Sequence, residues 1–141
     1  MQTRDMSSIA FTTNITMARP IDDVFQRLAD PAGFPAWNSA VERVEARGDG
    51  RYVMHRRLPS GPAVNELEVI ERHPSTAFAV RTTSGPTPFV YRYALEPTDG
   101  GTLVTLRAEA EVPGPAVLVK HALKRGVDAN LATLKAILEG R

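Results

Sequence analysis

The chain has 141 residues, 43% apolar and 23% charged, with seventeen basic side chains against sixteen acidic ones, a composition that predicts one folded domain over residues 1–141. A net charge of +1 gives no ground for nucleic-acid binding, which rests on clustered Lys and Arg, and the absence of cysteine excludes disulfides, thiolate metal sites and Cys nucleophiles. No apolar run reaches the roughly 18 residues that a membrane span needs, and the polar start from Met1 to Ser8 lacks a signal-peptide core. The expectations are a flexible N-terminus over residues 1–8, a cytoplasmic location and no integral membrane association.

Ile9 to Met17 alternates Ile9, Phe11, Thr13, Ile15 and Met17 against smaller or polar residues, which predicts a half-buried strand. Pro20 then opens a short helix, with Asp22 and Asp23 at its positive end and Val24, Phe25 and Leu28 as its apolar face. Asp30-Pro31 closes it, and a second short helical piece covers Pro31 to Trp37, where Pro31, Gly33 and Pro35 forbid anything long.

From Val41 onward the pattern is strands and tight turns. Strands are expected over Val41–Arg47, Arg51–Leu58, Ala63–Arg72, Thr76–Ser84, Thr87–Glu96 and Thr102–Val112. The turns between them are Gly48-Asp49-Gly50, Pro59 to Pro62, His73 to Ser75, Gly85-Pro86 and Thr98 to Gly101. Such short connections predict an antiparallel meander. Pro113-Gly114-Pro115 ends the sheet. From Ala116 to Leu138, the residues Val119, Leu123, Val127, Leu134 and Ile137 form one helical stripe.

A long helix with an apolar stripe needs a cover, and the sheet is the only large partner. The class is therefore α+β, with a curved antiparallel sheet of about six to seven strands and two short helices after the first strand. The long C-terminal helix packs across the sheet, and a cavity between the two is the hypothesis.

This order resembles the START-like superfamily (SRPBCC), which includes polyketide cyclases and dehydrases and lipid-transport domains, all of the helix-grip fold. The resemblance runs from about Ile9 to Leu138. It is carried by ITMARPIDDVFQRLADPAGFPAWNSAVERVE, by EVIERHPSTAFAVRT and by YRYALEPTDGGTLVTLRAEAEVPG. It implies a ligand between the concave sheet face and the last helix. Carried over to this chain, the inward residues are Phe89, Tyr91, Tyr93 and Leu95 on one strand, and Val104, Leu106, Ala108 and Ala110 on the next. The two alanines remove bulk where the helix passes.

Each candidate has a functional and a structural reading. Asn130, among Leu123, Val127 and Leu134 on the helix stripe, hydrogen-bonds either a ligand or a strand. Gly126 makes room for a ligand or for a close strand. Tyr91 and Tyr93 orient a ligand or act as general acids, or pack and bond a carbonyl. Tyr52, Met54 and Arg56 share one strand face, so Arg56 is either an inward charge awaiting a carboxylate or phenolate or, with a one-residue slip that puts Arg57 inside, a charge in solvent. Asn65, Glu66 and Glu68 carry the same ambiguity, and Trp37 is a lid or a core anchor. His55, His73 and His121 show no metal-ligand spacing, so neither a metal nor another cofactor is expected. Asn14-Ile15-Thr16 and Arg47-Gly48-Asp49 are read as strand and hairpin, not as glycosylation or adhesion motifs.

The leading functional expectation is binding, carriage or sensing of a hydrophobic small molecule, lipid-like or aromatic and polyketide-related. A polyketide cyclase or dehydratase is the second, since such chemistry needs mainly a pocket that holds a flexible chain in a reactive shape. An Arg, Tyr and carboxylate converging in the pocket would favour it. A regulatory or protein-interaction module with its pocket packed shut is the third. Oligomeric state is not legible.

Overall fold

A computed structural model describes residues 6–140. Seven strands form one antiparallel sheet: β1 (Met6–Met17), β2 (Val41–Gly48), β3 (Arg51–Leu58), β4 (Gly61–His73), β5 (Ala77–Ser84), β6 (Phe89–Thr98) and β7 (Gly101–Pro113). Their spatial order is β1-β7-β6-β5-β4-β3-β2. The meander from β2 to β7 thus lies in chain order, and β1 closes onto its far end beside β7. Helix α1 (Ile21–Leu28) and a 3-10 helix (Pro31–Ala36) connect β1 to β2, and α2 (Ala116–Leu138) follows β7. Met6, Ser7 and Ser8 begin β1 and pair with Pro113, Val112 and Glu111. That corrects part of the expected flexible N-terminus, whose first five residues lie outside the described residues.

The concave face is fixed by alternation. On β7, Val104, Leu106, Ala108 and Ala110 are buried while Arg107, Glu109 and Glu111 face outward. On β3 the residues that turn inward are Tyr52, Met54 and Arg56, and Arg57 is exposed. The hairpin turn explains why this register holds. Gly48, Asp49 and Gly50 all have positive φ (90°, 55° and 73°), a conformation that few other residue runs adopt, so the β2–β3 pairing starts from one place. Phe78, Leu106, Val104, Leu131 and Leu134 are sealed in the core between sheet and helix.

Helix α2 is attached mainly through its C-terminal half. Asp128 accepts a hydrogen bond from Thr13 Oγ1 at 2.5 Å, Lys135 Nζ donates to the Thr16 carbonyl at 2.7 Å, and Arg19 donates to the Leu138 carbonyl at 2.7 Å. The N-terminal half leaves Val117 and Leu118 exposed, and no helix residue before Val127 is buried. The gap beneath that half is where space remains.

The attachment at Asp128 carries a pH signature. Partial burial acts to raise its pKa, but hydrogen bonds from Thr13 and Lys124, with the Lys124 charge, outweigh it and hold the carboxyl below its usual range. A carboxyl depressed in the folded state stabilises the fold above its unfolded pKa of about 3.9, and the gain is lost as pH falls through the folded value. The stability difference between the wild type and Asp128→Asn should therefore be constant near neutral pH and shrink below about pH 4. Urea titrations across pH 2.5 to 7 measure this, and a difference independent of pH would remove the carboxylate from the account.

Candidate functional site

One cavity of about 170 Å3 lies between α2 and the sheet. The 3-10 helix and the start of β2 close one end with Phe34, Trp37, Ser39 and Val41. Strands β3, β5 and β6 contribute Met54 and Arg56, Val80, and Phe89, Tyr91 and Tyr93. The helix contributes Ala122, Leu123, Gly126, Val127 and Asn130. A wider depression of about 360 Å3 over the ends of β1, β6 and β7 has no helix residue in its wall and is more open. Only the smaller cavity is bounded by both layers.

Nine of the residues predicted from sequence meet here: Met54, Arg56, Phe89, Tyr91, Tyr93, Leu123, Gly126, Val127 and Asn130. Tyr52, Leu106 and Ala108 do not. Tyr52 faces a separate surface depression beside Gln26, Ala29 and Arg72. Leu106 and Ala108 are fully buried in the core. Ala108 pairs with Phe11 on β1 and with Tyr91 on β6, and all three belong to or pack against the core cluster. The cavity sits farther across the sheet, over β3, β5 and β6.

Arg56 is the one charged side chain in the wall. Its Nη1 donates to Asn65 Oδ1 and to Thr87 Oγ1, each at 2.9 Å, and its guanidinium lies 5.4 Å from the Phe89 ring centroid. No ion pair to it is formed among the described residues, and no Asp, Glu or His lines the cavity. Burial pushes its pKa down, with the neighbouring Tyr91 acting the other way; a guanidinium nonetheless stays cationic at any working pH. The inward carboxylate weighed for this strand pair is absent: Asn65 turns inward, whereas Glu66 is exposed and Glu68 pairs with Arg81 and Arg51.

The two tyrosines complete the polar set. Neither hydroxyl makes a hydrogen bond among the described residues, so both remain available to a guest. Burial pushes the Tyr91 phenol up to about 12, against a smaller opposing pull from Arg56. Burial, reinforced by Tyr91, pushes Tyr93 higher still. Both are hydrogen-bond donors at neutral pH and neither is a base. Trp37 is buried edge-to-face against Phe34 at 5.5 Å, the place of a core anchor, and also lines the cavity. Its Nε1–H is buried without a partner among the described residues, which a native fold rarely tolerates without reason.

Asn130 uses Oδ1 to accept a 3.3 Å hydrogen bond from the Ser39 backbone N–H, tying α2 to the loop before β2 rather than to a strand. Gly126 has no strand pressed against it, since a Cβ there would meet no atom within 4 Å. Gly126→Ala should therefore raise stability by about 1 kcal/mol through helix propensity alone. A thermal melt checks this, and a lowered melting temperature would show that the position is sterically closed.

A model of the polyketide cyclase / dehydrase and lipid transport family matches residues 8–139. The chain belongs to this family. No curated protein matches it. Solved structures of similar fold include a START superfamily protein from Mycobacterium smegmatis, 15% identical, covering 93% of this chain and 97% of that one with a TM-score of 0.82. A protein from Thermus thermophilus is 17% identical over 94% of this chain and 98% of its own, with a TM-score of 0.79. The di-domain ARO/CYC StfQ of the steffimycin biosynthetic pathway is 20% identical, covering 95% of this chain and 51% of that one with a TM-score of 0.76. At these identities the likeness is one of fold, and the helix-grip class follows from it together with the family match. No described helix of this family member is long and apolar enough to cross a membrane, and no group of metal-ligating side chains occurs among the described residues.

Proposed function

We propose that the protein binds and carries a small hydrophobic molecule in this cavity, an aromatic compound of one or two rings bearing an acidic or enolic oxygen. The observation that carries the reading is Arg56, a half-buried cation with no carboxylate partner, set in an otherwise uncharged wall. A charge so placed is costly unless something compensates it, and an anionic oxygen on a guest does so. The apolar lining contributes roughly 25 cal/mol per Å2 of guest surface buried. The Tyr91 and Tyr93 hydroxyls add orientation, as the few polar groups of such pockets do. Size bears on the class: cores elsewhere take up a single benzene ring in about 150 Å3, and this cavity is about 170 Å3 and partly open, so one ring fits within it and a second would extend into its mouth.

A cyclase or dehydratase is the second reading. It is supported by Arg56 beside a protonated Tyr91, a pair suited to stabilising a developing enolate. Against it stand the lack of any carboxylate or imidazole to act as base and a volume too small for a long polyketone. An open cavity also weighs against an interaction module with a closed pocket. Native mass spectrometry of the purified protein, before and after denaturing extraction, tests the proposal. A retained aromatic acid or phenol of defined mass supports it. Failure to retain or take up any member of a diverse aromatic and lipid panel would end it.

A further inference from the structure

We propose that Asn65 is a positioning residue for the cavity's charge: with the turn at residues 85–87 it holds Arg56 in one pose and leaves that cation uncompensated for an anionic guest. This inference rests on the cavity being a ligand site, as proposed above. Asn65 is 0% exposed on β4. It pairs with Met54 across the strands, so Arg56 reaches it diagonally on the same face.

Every hydrogen-bonding group of the Asn65 amide has a use. Nδ2 donates to the Ser84 carbonyl at 3.1 Å and to the Pro86 carbonyl at 2.9 Å, while Oδ1 accepts from Arg56 Nη1 at 2.9 Å. Two carbonyls on one side and a guanidinium on the other allow a single amide orientation. The turn is shaped around this amide. Gly85 has φ +100°, and a Cβ there would come within 2.3 Å of the Val64 carbonyl and 2.6 Å of Asn65 Nδ2. Thr87, with φ 49°, donates its hydroxyl to the Pro86 carbonyl at 2.8 Å and accepts from the same Arg56 Nη1 at 2.9 Å.

Both hydrogens of Nη1 are thus spoken for, by two neutral oxygens. Nη2 and Nε have no partner among the described residues and remain for a guest. An aspartate at position 65 would have nearly the same shape but would pair with Arg56 and cancel its charge. Neutral clamping is therefore a specificity device: the arginine is held by two charge-assisted hydrogen bonds without losing its attraction for anions.

The test compares 2-naphthoate with its uncharged analogue 2-naphthamide by titration calorimetry. Wild type should favour naphthoate. In Asn65→Asp the naphthoate affinity should fall about tenfold or more, the loss of one charge-assisted contact, while naphthamide changes less than about twofold. Thr87→Ala leaves both amide-to-carbonyl bonds intact and should lower the naphthoate preference by a factor of about three. It keeps the test decisive if the aspartate variant fails to fold. A preference unchanged in Thr87→Ala, or in Asn65→Asp where that variant folds, would reduce Asn65 to a structural role and overturn the inference alone. If wild type bound neither compound, the inference and the ligand-site reading would fall together. Equal wild-type binding of both would overturn charge selection and leave the cavity as a site.

Discussion

Arg56→Met is expected to weaken binding of 2-naphthoate by about 10- to 100-fold, the loss of a charge-assisted hydrogen bond worth about 1.5–3 kcal/mol. Methionine keeps an unbranched stem of similar reach against Phe89, so the apolar wall persists. Two opposing terms act on the fold. Asn65 Oδ1 loses its donor inside the core, at about 1–3 kcal/mol, and the cost of keeping a cation away from water disappears. Their near cancellation should leave the melting temperature within a few degrees of wild type. Calorimetry and a thermal melt on the same sample separate the two effects. Undiminished naphthoate affinity would remove Arg56 from the binding account.

Phe78→Ala should be the most damaging single change to stability. Phe78 is completely buried and stacks on Tyr93 with ring centroids 6.1 Å apart. Truncating a buried Phe costs about 3–5 kcal/mol, through lost apolar transfer and the void left behind. For a domain of this size that corresponds to a fall in melting temperature of roughly 10 °C or more. The ring also supports Tyr93 from the core side, so the loss should loosen the cavity wall and weaken 2-naphthoate as well. Denaturant midpoints for Phe78→Ala and Phe78→Leu give the size dependence. A cost below about 1 kcal/mol for the alanine would mean that the core closes over the gap.

What the sequence made legible follows the range of the forces involved. The strand Arg51–Leu58 and the helix Ala116–Leu138 have the bounds that periodicity alone predicts. The inward set on β3 came from alternation plus one hairpin turn, both local. Local rules also place Ala108 correctly on the concave face. They do not say what stands beside it, and the neighbours paired with it come from β1, nearly a hundred residues earlier, and from β6. The same limit hid the role of Asn65. From sequence Asn65 shares its register ambiguity with Glu66 and Glu68, and only an inward Glu beside Arg56 reads as half of an ion pair. Only the turn at 85–87, twenty residues downstream, explains why an amide is used there. Asn130 was legible as a buried-stripe amide, but its partner is a loop backbone that no helical pattern announces.

Trp37 is the chain's only tryptophan, and it stands in the cavity wall with its indole N–H unbonded and away from solvent. Excited at the red edge of the protein band, where the three tyrosines do not absorb, the unlabelled protein therefore has one emitting indole, at the place of interest. Its emission should peak toward the blue. A guest that accepts a hydrogen bond near the indole should shift or quench that peak in proportion to occupancy. The protein reports its own filling optically, so a search for the guest can begin in a cuvette without a dye, a tag or a known ligand.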